Sequence, residues 1–272
     1  MSLNQTFIKV DHINIYCEYS LNEKPPIFLI HGFASSTYTF NRLLPLLERN
    51  FSIIAIDLPG FGRSEKSKSF HYSFANYAKL IGECINYFNL NKVTIVGHSM
   101  GGQIALYVAK AIPEKINKLI LLGSSGYLQK AKKSLICCSY VPFFCHFVKW
   151  YVLKKDVKEY LHNVFYNKSL ITKQHIDEFA KPLAEKDFYS SLVRLLRYRE
   201  GDLTSEELRE INLPVLLIWG KEDRVVPVHV GNKLVEDLPN ATLVTYKEAG
   251  HLITEERPTE VFQQILTYTS CK

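Results

Sequence analysis

From Ile27 onward the chain alternates short, unbroken apolar runs with helix-length segments. The runs are Ile27 to Ile30, Ile53 to Ile56, Val93 to Val96, Leu119 to Leu122, Val215 to Trp219 and Leu243 to Tyr246. A strand that reads as continuously apolar is buried on both faces, and such strands separated by helices build a mostly parallel sheet with helices on each side. Helices are predicted over Tyr72 to Phe88, Gly101 to Ala111, Val228 to Leu238 and Pro258 to Thr269. Ahead of this pattern, Phe7 to Val10 and Ile13 to Tyr19 are strand-like and meet near Asp11-His12, which suits an N-terminal hairpin. The fold class expected is α/β, with a mostly parallel sheet flanked by helices.

The alternation breaks between Gly126 and about Leu203, a stretch rich in Phe, Tyr, Leu and Lys. Loops of that length without structure of their own are rare. Residues 126–203 are therefore expected to form a helical cap, or lid, inserted after the sixth core strand, with 1–125 and 204–272 as one core domain. Ser134 to Leu153 is apolar enough to raise the question of a membrane span. Pro142, His146 and Lys149 interrupt it, and a single crossing there would put two halves of one sheet on opposite sides of a bilayer. No transmembrane segment is expected. Phe143, Phe147 and Trp150, with Phe144 and Tyr151, are read as lining or covering an apolar substrate pocket, with peripheral contact to lipid as the alternative.

Charge adds one feature. Residues 126–203 hold 14 Lys and Arg against 8 Asp and Glu, which accounts for the whole formal net charge of +6, while the rest of the chain balances at 19 of each. These charges are spread along the segment and read as a solvated face, although a basic surface also attracts anionic lipid or acidic substrates. Nothing in the pattern points to nucleic acid. At 272 residues and 47% hydrophobic content the chain can bury one large core. Its start, Met1 to Lys9, lacks the charged and then apolar regions of a secretory signal, so a cytoplasmic location is expected. Cys17, Cys84, Cys137, Cys138, Cys145 and Cys271 show no paired metal-binding spacing and are read as reduced thiols, with no metal implied.

The chemistry lies at strand ends. Gly97-His98-Ser99-Met100-Gly101 sits between the run Val93 to Val96 and the helical stretch after it, the context of a nucleophile elbow. Small flanking glycines let the chain turn sharply enough for a serine Oγ to project from the sheet. A serine hydroxyl needs a base to take its proton and a carboxylate to orient that base. Asp223 follows the run Val215 to Trp219, and His251 follows the strand-like Ala241 to Tyr246. Ser99, Asp223 and His251 thus occur in that chain order, with Glu222 and Asp57 as rival carboxylates.

In these segments the chain resembles the α/β-hydrolase fold superfamily, whose triads occur in this order at the carboxyl ends of strands. His31-Gly32-Phe33 and the segment Asp57 to Ser64 carry the resemblance further, and it is similar in particular to carboxylesterase and lipase-like serine hydrolases. The resemblance selects Asp223, because the family pattern is Gly, two residues, then Asp. It places His251 at the catalytic histidine. Some relatives carry the acid after the sixth strand, where this chain reads Gly123-Ser124-Ser125-Gly126 and offers none. It also implies an oxyanion hole from the backbone N–H groups of Phe33 and Met100, each worth on the order of 3 kcal/mol in the transition state. His98 is read as packing beside the nucleophile, His31 as hydrogen-bonded loop architecture, and Asp57 as support for the turn Pro59 to Gly62.

The activity implied is hydrolysis of a small-molecule carboxylic ester through an acyl-enzyme, with no cofactor. The same architecture hosts other chemistries. Dehalogenases and epoxide hydrolases carry aspartate at the elbow, where this chain has Ser99. C–C hydrolases of aromatic degradation share the serine triad and are the main enzymatic alternative, although Phe33-Ala34-Ser35-Ser36 departs from their Gly-Pro-Gly stretch. A ligand-sensing receptor that retains the triad is the alternative from another class.

Overall fold

The computed structural model describes residues 3–270. Its strands are β1 (Asn4–Val10), β2 (Ile13–Ser20), β3 (Pro26–Ile30), β4 (Ser52–Ile56), β5 (Val93–His98), β6 (Ile116–Leu122), β7 (Val215–Gly220) and β8 (Ala241–Tyr246). They form one eight-stranded sheet in the order β1-β2-β4-β3-β5-β6-β7-β8. β1 pairs antiparallel with β2, and β2 with β4. Every other pairing is parallel. The hairpin closes through Asp11 and His12, both left-handed at φ 46° and 65°, the two-residue conformation whose twist matches that of the flanking strands.

Alternate residues of each apolar run serve opposite faces. Phe28, Ile30, Ile54, Ile56, Leu119 and Leu121 join a large cluster on one side of the sheet. Ile27, Leu29, Ile53, Ala55, Ile120 and Leu122 join a second cluster on the other. This is why the runs read as continuous rather than alternating. The helices outside the region between β6 and β7 are α1 (Leu44–Leu47), α2 (Phe74–Tyr87), α3 (Met100–Ala111), α9 (Ser205–Arg209), α10 (Val228–Asp237), α11 (Ile253–Glu256) and α12 (Pro258–Ser270). α2, α3 and α10 contribute Phe74, Ile104 and Leu234 to the first cluster. α1 and α12 contribute Leu44, Leu47, Val261 and Ile265 to the second. α2 starts two residues later than the sequence predicts because Ser73 is extended and its Oγ accepts the Asn76 N–H, satisfying one of the first-turn donors.

Between β6 and β7 the chain runs through α4 (Lys133–Cys138), α5 (Phe144–Leu153), α6 (Val157–Val164), α7 (Lys173–Ala180) and α8 (Lys186–Tyr198). α8 buries Phe188, Tyr189 and Leu195 in the large cluster. α6, capped by Asp156, sends Leu161 and Val164 against Phe165 and Leu252. That small cluster ties the inserted helices to the loop beyond β8. Among the described residues no helix is long and apolar enough to cross a membrane. Cys17, Cys84, Cys137, Cys138 and Cys145 are unpaired, and Cys271 lies outside the described residues.

Candidate active site

Ser99 sits between β5 and α3 at φ 53° and ψ −120°, a region that costs a non-glycine residue about 1–3 kcal/mol. The surroundings hold it there. Its N–H donates to Leu122 O at 3.0 Å and its carbonyl accepts from Ser125 N at 3.0 Å. A Cβ at Gly97 would lie 2.4 Å from Gly101 O, and one at Gly101 would lie 2.1 Å from Ile30 O. Only glycine at both positions lets the start of α3 press against the carboxyl ends of β3 and β5.

Asp223 is buried just beyond β7. Its Oδ1 accepts the Val225 and Val226 N–H groups, both at 2.8 Å. Its Oδ2 lies 2.7 Å from His251 Nδ1. A carboxylate with every contact from a donor can only accept, so the His251 proton sits on Nδ1 and the Nε2 lone pair is free. The loop carrying His251 is braced from three sides. The His251 N–H donates to Val164 O of α6 at 2.8 Å. The Gly250 N–H donates to Glu256 Oε1 at 2.7 Å, and the Ala249 N–H to Glu222 Oε2 at 3.2 Å. Glu222, the rival carboxylate, thus holds the backbone of the histidine loop rather than the imidazole.

His98 does more than pack beside Ser99. Its Nε2–H donates to His251 O at 2.9 Å, and the two rings lie 4.8 Å apart. Burial, with repulsion from His251, pushes its pKa down to about 3, which keeps it a neutral brace. His31 donates from Nδ1 to Gly32 O at 2.7 Å and accepts the Leu58 N–H on Nε2 at 2.9 Å. Burial pushes its pKa down to about 4. Asp57 accepts the Thr37 and Arg63 N–H groups at 2.6 and 2.7 Å, tying the first loop to the turn after Pro59. Neither group faces the reacting atoms.

Met100 opens α3, so its N–H has no partner within the helix. Phe33 lies in the loop after β3, its ring 5.8 Å from Phe61. Among the described residues neither of these two N–H groups donates a hydrogen bond. A cavity of about 420 Å³ lies against Ser99, Met100 and Ser125 and is walled by Phe33, Leu192, Leu195 and Val226. A second, of about 370 Å³, continues past Phe33 and Leu192 to Tyr151, Val152, Tyr160 and Phe188. Phe33 and Leu192 line both.

Of the residues expected to line or cover an apolar pocket, Tyr151 lines the second cavity, whereas Phe143, Phe147 and Trp150 line neither. They are 78%, 55% and 53% exposed. α5 turns Cys145, Val148 and Val152 inward instead. A helix with two apolar stripes carries no mark of which one faces the core. The braces from His98, Glu256 and Val164 were not foreseen either, since they join segments far apart in the chain.

Gly123, in the turn after β6 at φ 49°, lies against the Asp223–His251 pair: a Cβ there would sit 3.2 Å from Asp223 Oδ2 and 3.3 Å from His251 Nδ1. The model of the alpha/beta hydrolase fold family matches residues 25–136 and 140–258. The chain belongs to the alpha/beta hydrolase fold family. Among proteins of this family it is similar to the uncharacterized hydrolase YugF of Bacillus subtilis, 41% identical over 260 residues that cover 95% of each chain. It is also similar to a 2-hydroxy-6-oxononadienedioate/2-hydroxy-6-oxononatrienedioate hydrolase of Cupriavidus pinatubonensis, 26% identical over 87% of this chain and 84% of that one. Among solved alpha/beta hydrolase structures, a membrane phospholipase A described as a bacterial virulence factor superposes with a TM-score of 0.82 at 26% identity. That match covers 98% of this chain and 86% of the other. The chain is thus a hydrolase of this fold.

Proposed function

We propose that the chain hydrolyses carboxylic esters with small to medium apolar acyl groups, using Ser99 as nucleophile, His251 as base and Asp223 as the group that orients it. The observation that carries this reading is the 2.7 Å Asp223–His251 bond beside a serine held in a strained elbow at the mouth of an apolar cavity. His251 Nε2 takes the Ser99 proton as Oγ bonds to the ester carbonyl carbon, and the carbonyl oxygen becomes an oxyanion facing the Phe33 and Met100 N–H groups. Collapse breaks the bond to the alkoxy group, which leaves with the proton from His251. Water then gives a proton to His251 and its oxygen to the acyl carbon, and Ser99 departs with the proton returned. In this reading residues 126–203 act as the cap over the core, and Phe33 divides an acyl cavity from the region toward Tyr151.

A second reading, hydrolysis of a C–C bond in a carboxylate-bearing substrate, is favoured by one relative's chemistry and by Arg199 in the cavity wall beside Ser99. Steady-state and burst kinetics on p-nitrophenyl esters from acetate to palmitate, with Ser99→Ala alongside, separate the possibilities. Sustained turnover with a chain-length optimum, lost by several orders of magnitude in Ser99→Ala, is the expected result. No Ser99-dependent turnover would sink the ester reading in favour of C–C substrates. A single stoichiometric burst would point to ligand sensing.

A further inference from the structure

We propose that the outer face of α5, together with the turn before it, docks on an anionic lipid surface. α5 is apolar on two sides. Cys145, Val148 and Val152 pack onto the large core cluster. Phe143, Phe147, Trp150 and Leu153 recur at the spacing of one helical stripe, and all four are exposed, Phe143 the most at 78%. Tyr140 and Val141, also exposed, extend the patch. The rings pack on one another, Phe147 against Trp150 at 5.9 Å and against Tyr151 at 6.5 Å. A monomer in water gains nothing from collecting such rings on one face.

The charges around the patch name the occupant. Residues 127–155 contain no Asp or Glu, and Lys130, Lys132, Lys133, Lys149, Lys154 and Lys155 lie among the aromatic residues. All six are exposed. Among the described residues none forms an ion pair, although Lys154 Nζ stands 3.7 Å over the Trp150 ring. Rings that sink to the acyl boundary beside lysines that meet headgroup phosphates are the arrangement of an interfacial helix. A protein partner with an acidic rim shares part of this chemistry, and a cavity of about 230 Å³ lined by Val141, Phe143, Arg194 and Arg197 lies at one end of the patch; rings and lysines spread along the whole face, rather than gathered at that cavity, favour a lipid surface over one anchoring side chain.

The patch is continuous with the interior. Tyr151 and Val152 of α5, with Lys155 just beyond it, line the 370 Å³ cavity that shares Phe33 and Leu192 with the Ser99 cavity. A docked α5 therefore places a route to Ser99 beside the lipid. On the ester reading, which this last step alone assumes, the substrate is an ester partitioned in the same surface.

The protein carries its own reporter. Its two tryptophans are Trp150 and Trp219, and Trp219 is fully buried while Trp150 is 53% exposed. Binding to vesicles of phosphatidylcholine with phosphatidylserine as a minor component is expected to shift Trp150 emission to the blue and to co-sediment the chain. Trp150→Phe abolishes the shift while co-sedimentation persists. Lys132→Gln with Lys133→Gln weakens binding about fivefold per lysine removed, with unchanged Trp219 emission and an unchanged thermal melt confirming the fold. Neither shift nor co-sedimentation with these vesicles would overturn the proposal. So would equal binding to pure phosphatidylcholine, or a blue shift that tracks protein concentration without lipid and accompanies dimers in sedimentation velocity. Binding is read without turnover, so failure of the ester reading leaves this test intact.

Discussion

Asp223→Asn separates the orientation of His251 from the folding of the loop that carries it. Asp223 Oδ1 receives two backbone N–H groups, from Val225 and Val226, each at 2.8 Å. An asparagine must turn its carbonyl oxygen toward these donors, because the alternative sets its NH2 against both. The NH2 then occupies the place of Oδ2, 2.7 Å from His251 Nδ1, and donates where the carboxylate accepted. His251 responds by moving its proton to Nε2, and in the proposed mechanism Ser99 loses its base. A wrong-tautomer substitution of this kind costs about 10⁴ in kcat, or about 5 kcal/mol of transition-state stabilisation. Both backbone donors remain paired, so the fold loses only the charge assistance of these bonds, about 1 kcal/mol. Asp223→Ala, by contrast, leaves the Val225 and Val226 N–H groups without their acceptor and is expected to melt at a lower temperature. The assay is kcat on the best p-nitrophenyl ester beside a thermal melt for each variant. An Asp223→Asn enzyme within about tenfold of wild type would refute the assignment of Asp223 as the orienting acid.

Gly123→Ala is expected to lower kcat at least tenfold with little change in KM, since its Cβ would crowd the Asp223–His251 pair from a left-handed backbone position; unchanged kinetics would show that the pair tolerates displacement. Phe33→Ala keeps the backbone N–H but opens the wall between the two cavities, so the chain-length optimum should move to longer acyl groups, and an unmoved optimum would separate Phe33 from acyl selection. Glu255, buried at 2% exposure and facing His175 Nε2 at 3.2 Å with Arg42 nearby, has its pKa pushed by burial from 4.5 up to about 7. The folded chain therefore holds a proton that the unfolded chain has lost between those values. Its stability falls as pH rises through that window, by at most about 3 kcal/mol above pH 7. Glu255→Gln should accordingly gain stability relative to wild type between pH 5 and pH 8 in urea unfolding, whereas a difference independent of pH would show that Glu255 titrates normally.

Much of the sheet was legible because its strands are buried on both faces: no other role explains Ile27 to Ile30 or Ile53 to Ile56 as unbroken apolar runs followed by turns. The position of Ser99 was legible for a local reason, since the glycines needed for a close approach of α3 to β3 and β5 lie within two residues of it. The choice between Glu222 and Asp223 rested on the family resemblance, because local chemistry leaves it open. Adjacent side chains in a turn diverge, and only the tertiary fold shows one reaching His251 and the other the Ala249 N–H. His98, Glu256 and Val164 were unreadable for the same reason, as each acts on the His251 loop through contacts that the sequence does not bring together. The orientation of α5 was hidden by a different cause. When a helix carries two apolar stripes, as α5 does on either side of His146 and Lys149, burial of one stripe and exposure of the other satisfy the same pattern, and the core alone decides between them. That residual freedom has a consequence at the site. Val164 O, at the end of α6, the helix that follows α5, accepts the His251 N–H, so a displacement of the inserted helices at their outer face can reach His251 through one backbone hydrogen bond, without passing through either cavity beside Phe33.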